Sequence, residues 1–486
     1  MAYVGVARDS AWTACVQLLA ALGAGAVFAG ALPAARGELD PTFGTGGKVT
    51  SDFGGSEFGR AVAVQRDRRV VVVGERWKEP FDFLLARYTA NGELDPSFDG
   101  DGKVVTDVGG ASGASDVDIQ RDGKIVVAGW SVGSFALARY EQDGSLDATF
   151  GEGGKVRTTF RPGSIDGAYA VALQIDGKIV AGGRTRAGAA SAFALARYGP
   201  DGRLDPSFGS GGRVITPIPG RGLDRVFALA VQPDGKLVAA GGSFEGDSEV
   251  VLTRYNQDGS LDTSLDGDGI AVASFKPIDM VPQHLAVQRD GKLLVPGYGG
   301  IVRFTSNGSL DRTFGRGGRA DMCCFDTAAA AIQPDGKILT IGTSFSGGTG
   351  DFSVARLTAD GRRDDNYEGV VTDLSSGSND QAFDGVLLPD GKLIVAGGTG
   401  RAREPEDFAV ARYVAVVHCV APNVRGRTLA VARSMLSRAR CRVGAVKRAY
   451  SQRVKKGRII SQRPGPRARL PELAKIQLVI SRGRKR

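Results

Sequence analysis

An all-β propeller of about seven four-stranded blades, followed by a small α+β module, is the fold class the sequence predicts. Three observations predict it. The decapeptide QRDGKIVVAG at 120–129 recurs as QIDGKIVAGG, QPDGKLVAAG, QRDGKLLVPG, QPDGKILTIG and LPDGKLIVAG. Three marks, Leu-Asp, Asp-Gly-Lys and Ala-Arg-Tyr, follow one another in fixed order through seven copies spaced 45 to 58 residues apart. The repetition stops at Tyr413, and there the charge changes sign: residues 414–486 hold 20 Lys/Arg against the single acid Glu472, while the preceding residues hold 42 Lys/Arg and 52 Asp/Glu.

The first element, residues 1–35, is apolar from Ala14 to Leu32 except for Gln17, with Arg8 ahead of it and small residues at Ala29-Gly30-Ala31 and Pro33-Ala34-Ala35. This pattern reads as a secretory signal peptide, with an uncleaved membrane anchor as the alternative because the run is close to spanning length. No other stretch is apolar enough to cross a bilayer, and Cys15 lacks the surroundings of a lipidated cysteine.

The second element is the repeat, residues 37–413. In the copy from Gly102 to Tyr140, KVVTDV is rich in β-branched residues, SDVDIQ alternates, KIVVAG is a short apolar run and FALARY alternates again. Asp-Gly between the second and third segments predicts a two-residue hairpin turn with positive φ at both positions. Four short antiparallel strands, seven times over, predict blades whose faces are buried by their neighbours. The series starts at Leu39-Asp40, halfway through a unit, so the strand around Lys48 is expected to pair with FAVARY and close the ring. An open β-solenoid is the alternative. The fifth copy passes from Gly297 to Arg303 almost without a loop, and the seventh has lost its Leu-Asp leucine. The run GSLDATFGEGGKV…ALQIDGKIVAGG…FALARY resembles the delta-60 repeat of bacterial secreted proteins, which implies a propeller and leaves the ligand open.

The third element, residues 419–486, changes periodicity. Leu429, Ala432, Leu436 and Ala439 fall at helical spacing after an N-cap at Thr428. Strand-like segments GAVKRAYS, GRIISQRP and AKIQLVISRG follow. The pattern PNVRGRTLAVARSML…GRIISQRPGPRARL…AKIQLVIS resembles a PASTA domain. That resemblance implies binding to cell-wall peptidoglycan, and the charge favours an anionic wall polymer with affinity falling as salt rises. Glu472 stands where the family usually has a glycine. A solvated basic surface without a specific partner is the plain alternative. Nucleic acid is not expected, since only Tyr450 offers an aromatic ring for stacking, and a membrane partner enters only if the N-terminal segment stays uncleaved.

Chemistry-bearing residues are few. Cys419 and Cys441 flank the helix, and a disulfide between them would stabilise the module by roughly 3 kcal/mol; Cys323 and Cys324 are expected as buried strand residues. The two histidines, His284 and His418, lie in different modules and read as packing or surface residues, which excludes most histidine-based metal sites and a Ser-His-Asp triad. DGDG at 99–102 and 266–269 reads as a glycine-rich turn and not a calcium loop. The Leu-Asp aspartate and Ala-Arg-Tyr arginine recur in every copy and so read as scaffold, each aspartate bonding a turn or pairing with an arginine. No catalytic residue, metal ligand or cofactor site is named; lone loop acids such as Glu245 or Asp351 leave glycosidase chemistry open. The expectation is a secreted or cell-surface, wall-associated, non-enzymatic binding or scaffold protein, with a propeller enzyme acting on wall glycans as the alternative.

Overall fold

In a computed structural model of the chain, residues 35–484 are described except 77–78, 80, 189, 220–223, 244–248, 276–279, 347, 401–405, 416–418, 440 and 471–473. The proposed leader therefore lies outside the described residues, apart from Ala35. No described helix is long and apolar enough to cross a membrane.

Seven antiparallel blades form the body. Blade 1 comprises Glu57–Val64, Val70–Arg76, Phe83–Tyr88 and Lys103–Thr106, paired in that order. Blades 2 to 4 repeat the pattern from Ser112, Ile165 and Asp224. Blade 7 takes Gln381–Leu387, Lys392–Thr399 and Asp407–Val414, and receives Lys48–Ser51 from the N-terminal side as its outermost strand, with Lys48 opposite Ala411. The ring thus closes non-covalently, through a strand drawn from the far end of the repeat region.

The fifth copy shows what its missing loop does. Leu293–Phe304 is one continuous strand serving as the second and third strands of blade 5, turning at Gly299 and Gly300, whose φ values are 86° and 141°. Arg319–Ile332 likewise runs from the outer edge of blade 5 into the innermost strand of blade 6, so the two blades share one six-stranded sheet. Cys323 and Cys324 lie on that strand; their side chains are outside the described residues.

Two sequence expectations need correcting. The strand KVVT at 103–106 pairs with Phe83–Tyr88 and so belongs to the preceding blade, which makes QRDGKIVVAG the innermost hairpin of its blade and not the central one. Periodicity fixes the length of a unit but not where it is cut; the cut is decided by the loop carrying Leu-Asp, which folds back on the Ala-Arg-Tyr strand, as in the bridge between Tyr88 and Leu94. The Asp-Gly turn also differs. Only the glycine has positive φ (Gly123, 91°), while Asp122 accepts a hydrogen bond from the Lys124 N–H at 3.1 Å. The chain makes a four-residue turn closed by Gly123 N–H to the Gln120 carbonyl, 2.9 Å, followed by one left-handed residue. In blade 1 that residue is Arg68, at φ 72°. Arg68→Gly is expected to stabilise the protein by up to about 1 kcal/mol, read as a higher urea midpoint at unchanged m.

What joins blade to blade is the set of repeated polar residues. Arg139 donates from Nε to Asp147 Oδ2 at 2.7 Å and from Nη1 to the Pro200 carbonyl of the next blade at 2.6 Å, and its guanidinium lies 4.4 Å from the centre of the Phe150 ring. The Asp–Gly–Lys lysine reaches the same aspartate: Lys124 Nζ is 2.8 Å from Asp147 Oδ2. Equivalent arginine–aspartate pairs are Arg87/Asp95, Arg197/Asp205, Arg254/Asp262, Arg303/Asp311, Arg356/Asp364 and, across the closure, Arg412/Asp40. Each aspartate also caps its own turn, as Asp147 Oδ1 does for the Thr149 N–H and hydroxyl. The tyrosine of the mark works in the opposite direction: the buried Tyr140 hydroxyl meets Thr106 Oγ1 of the preceding blade at 2.9 Å.

The C-terminal module has the helix Leu429–Arg438, with the Thr428 hydroxyl accepting from the Val431 N–H, and a three-stranded sheet of Arg442–Ala449, Lys475–Ser481 and Ile459–Arg463. Ala432 and Leu436 turn inward onto Ile459, Ile476 and Leu478. Cys419 and Cys441 are joined by a disulfide, with Cα atoms 4.8 Å apart. Buried Gln462 ties the incoming segment to the sheet, accepting from the Val424 N–H and donating to the Pro422 carbonyl.

Candidate functional site at the axial channel

Neighbouring innermost strands touch around the ring, so their side chains surround its axis. A bulge falls at the same place in six of these strands, at Arg60, Ser115, Tyr169, Phe227, Ala328 and Phe383. Such a bulge bends the strand and re-aims its extra side chain. Around these positions aromatic rings and arginines gather into two groups. In one, the Arg60 guanidinium lies 4.2 Å from the Phe58 ring centre and 5.1 Å from that of Phe383. Glu75 holds this arginine at 2.9 Å and also accepts from Trp130 Nε1 at 3.0 Å. In the other, Arg225 lies over Phe227 and Tyr169, at 4.6 and 5.2 Å.

One step further along the strands, the seven blades present Ala61, Asp116, Ala170, Ala228, His284, Ala329 and Asp384. Alanine is the scaffold residue here; three blades depart from it, and all three carry titratable groups. Asp116 Oδ2 accepts from the Val171 N–H of the next blade at 2.7 Å, and Asp384 Oδ2 from the Val62 N–H across the closure at 3.0 Å. Both carboxyls are pushed up by burial, which these N–H bonds only partly offset. Asp118, two residues on from Asp116, is pushed up to about 6 for the same reason. His284 is pushed down by burial, against the opposing effect of Asp384, and its Nδ1 has no hydrogen-bond partner. A neutral imidazole with a free ring nitrogen, beside carboxyls whose protons are held more tightly than usual, can accept, donate or relay a proton.

His284, expected as a packing or surface residue, is buried within electrostatic reach of Asp384. The signal was in the sequence: His284, Asp116 and Asp384 each stand six residues before the aspartate of their Asp–Gly–Lys turn, where four other copies have alanine. His418 and Glu245 lie outside the described residues. Asp351 is not a lone loop acid. It opens the strand Asp351–Leu357, is buried, and joins Asp373 and Asp380 in a set of three carboxylates at the junction of blades 6 and 7. A second such set, Asp52, Glu57 and Asp407, occupies the equivalent junction of blades 7 and 1. Glu57 is pushed up to about 7 by burial and by Asp52, with Arg76 opposing. At the blade 1–2 junction, Asp82, Asp107 and Glu79 line an open recess of about 530 Å³ with Phe81. Both carboxylate sets include members far apart in the chain, and the fold alone brings them together. The DGDG aspartates Asp101 and Asp268 instead cap their own turns, accepting from the Lys103 and Ile270 N–H groups.

Comparison with known proteins bears on fold and family. No curated protein matches the chain. Among solved structures, a catalytically inactive virginiamycin B lyase from Staphylococcus aureus with quinupristin is similar at 10% identity, covering 75% of this chain and 98% of that one with a TM-score of 0.48. The PQQ-bound aldose sugar dehydrogenase of Streptomyces coelicolor (13% identity, 62% and 94% covered, TM-score 0.40) and a puromycin hydrolase (13%, 76% and 53%, 0.43) are similar too. The model of a family described as a domain of unknown function, DUF5122, beta-propeller, matches residues 65–98, 120–150, 174–208, 232–265, 288–314, 333–367 and 388–415. The PASTA domain model matches residues 420–482. The chain is thus made of seven DUF5122 β-propeller repeats followed by a PASTA domain.

Proposed function

We propose that the protein is an extracellular, wall-associated binding protein, held on peptidoglycan by its PASTA domain while the propeller presents a ligand site at the channel mouth. The observation that carries this reading is the charge of residues 414–486: 20 cationic side chains share the module with one carboxylate. A surface of one sign that its own chain does not neutralise favours a polyanion, and peptidoglycan carboxylates and wall phosphates are the polyanions a PASTA domain meets. The apolar N-terminal run supports export. The mouth, with guanidinium and aromatic faces side by side, suits a ligand that offers flat rings or sugar faces.

The test is co-sedimentation of the purified protein with peptidoglycan sacculi, with and without residues 419–486. Pelleting that depends on those residues and survives moderate salt is the expected result; no pelleting of either form sinks the proposal. The second reading, an enzyme of wall glycans, is favoured by His284 with its free Nδ1 near Asp384. Turnover of a polysaccharide panel that disappears in His284→Ala would replace the first reading with the second.

A further inference from the structure

We propose that the junction of blades 7 and 1 is a calcium site that staples the ring shut. Asp52 directly follows the closing strand Lys48–Ser51, Asp407 opens the third strand of blade 7, and Glu57 opens the innermost strand of blade 1. One carboxylate oxygen from each lies within 4.8 Å of the others. Calcium binds oxygen at about 2.3–2.6 Å, so an ion at the centre reaches all three after a shift of a few tenths of an ångström, whereas magnesium, at about 2.0–2.1 Å, would have to draw them closer still. All three donors are oxygens, the chemistry of a hard divalent cation.

An independent observation points to a ligand there. Glu57 is wholly buried and neither of its carboxylate oxygens has a hydrogen-bond partner. Its nearest cation, Arg76 Nε, stands 3.6 Å away, outside hydrogen-bonding range, while Arg76 Nη2 donates to the Phe53 carbonyl at 2.8 Å. A buried carboxylate with one arginine at 3.6 Å and no donor at full hydrogen-bonding distance is under-compensated, and a closer cation would relieve it. Lys103 does not do so through the carboxylates; its Nζ sits on the Asp52 backbone carbonyl at 2.6 Å. The corresponding acid at the blade 6–7 junction, Asp380, is different, because the Ser378 and Thr399 hydroxyls and the Leu374 N–H satisfy it. The one place where the ring has no covalent continuity lies beside the blade 7–1 junction, inside blade 7 between Asp407–Val414 and Lys48–Ser51, and the site straddles that seam with Asp407 on one side and Asp52 and Glu57 on the other. An ion there would join the N-terminal closing segment, the last blade and the first blade. Two cations close to three carboxylates weaken the site, which places its affinity in the range of extracellular calcium modules, about 0.1–1 mM.

The experiment uses the full chain, stripped with EGTA and titrated with CaCl₂ by calorimetry, with thermal unfolding followed in parallel. Saturable binding, a Tm raised by several degrees in 10 mM calcium, and slower proteolytic release of the segment before residue 52 are expected, with magnesium less effective. Asp52→Asn and Asp407→Asn should abolish the calcium-dependent shift while leaving the circular dichroism and the Tm in EGTA unchanged or raised, since like charges are relieved. Asp373→Asn at the neighbouring junction should retain the shift. Equal Tm in calcium and EGTA, equal effects of magnesium and calcium, or a shift undiminished in both Asn variants would each overturn the proposal. If an Asn variant fails to fold, the proteolysis comparison on the unaltered protein decides: release at the same rate with and without calcium rejects the staple.

Discussion

Arg412→Met is expected to lower stability by about 2–3 kcal/mol, since it removes hydrogen bonds that a charged guanidinium makes to a buried aspartate and to the next blade. It should also be more damaging than the chemically identical Arg139→Met. Both arginines are nearly buried, both hold an aspartate, both stack on a buried phenylalanine and both reach the next blade's turn. In each case a lysine remains on the aspartate, Lys124 on Asp147 and Lys392 on Asp40, so neither carboxylate is left without a cation. The difference lies in connectivity. Arg139 and Asp147 are eight residues apart on one continuous chain, whereas Arg412 and Asp40 are 372 apart and face each other across the closure. Once Arg412 is gone, the N-terminal segment keeps the four-residue strand, Phe43, Lys392, the short pairing of Ala35–Arg36 with Tyr367–Glu368 and the bridge between Leu39 and Tyr413. It loses its only buried arginine tie to the last blade among the described residues. Limited proteolysis should therefore cut ahead of residue 52 in Arg412→Met well before Arg139→Met is attacked, and denaturant midpoints should rank wild type above Arg139→Met above Arg412→Met. Equal midpoints for wild type and either variant would show that the recurrent pairs do not hold the ring.

A steep loss of stability is expected between about pH 4 and pH 2, from seven carboxylates acting together. Burial by itself would raise the Leu-Asp aspartates, but the turn cation (a lysine, or Arg69 in blade 1), the capping residue and the arginine outweigh it and hold all seven below the ordinary range. Asp311 is brought down to about 2. In the unfolded chain the same groups titrate near 4. The unfolded state therefore takes up protons first as pH falls. The stabilisation is complete above about pH 4 and is lost on the way to the folded-state values, by about 1.4 kcal/mol per group per pH unit at most. Asp116 and Asp118 act in the opposite sense: raised in the fold, they keep protons that the unfolded chain releases, so stability declines slightly as pH climbs from about 4 through 6. Urea midpoints should peak at mildly acidic pH and fall sharply below it, and Asp147→Asn should flatten the acid limb by one proton. A midpoint constant from pH 6 to pH 3 would contradict the assignment.

Much of this architecture could be read from the chain because the same residues recur where the same contacts recur. The Leu-Asp aspartate and Ala-Arg-Tyr arginine declare themselves as scaffold by appearing in every copy, and the helix from Leu429 follows from its spacing and from Thr428. The role of the Asp–Gly–Lys lysine was less legible, since its aspartate lies some twenty residues downstream and only the fold brings Lys124 Nζ to Asp147. The cut between blades was not legible, because a period has no origin. The channel group was hidden for a different reason. His284, Asp116 and Asp384 are ordinary residues when each copy is read alone, and become conspicuous only when the copies are laid in register. Asp52, Glu57 and Asp407 stand in register with Asp373, Asp380 and Asp351, but each set is spread along the chain and meets only when neighbouring blades pack.

The arginine handshake from each blade to the next has a consequence for where such a chain can begin. Six joints, including the one between Arg412 and Ala90, use the same donor on one side and the same kind of turn carbonyl on the other. The blade 7–1 joint thus repeats the chemistry of the others, and the break in the backbone falls inside blade 7, between Asp407–Val414 and Lys48–Ser51. A circular permutant that links Tyr413 to Gly37 and opens the chain at a surface loop between two other blades should reach the same ring. It would move the position from which the PASTA domain hangs without altering the propeller it hangs from.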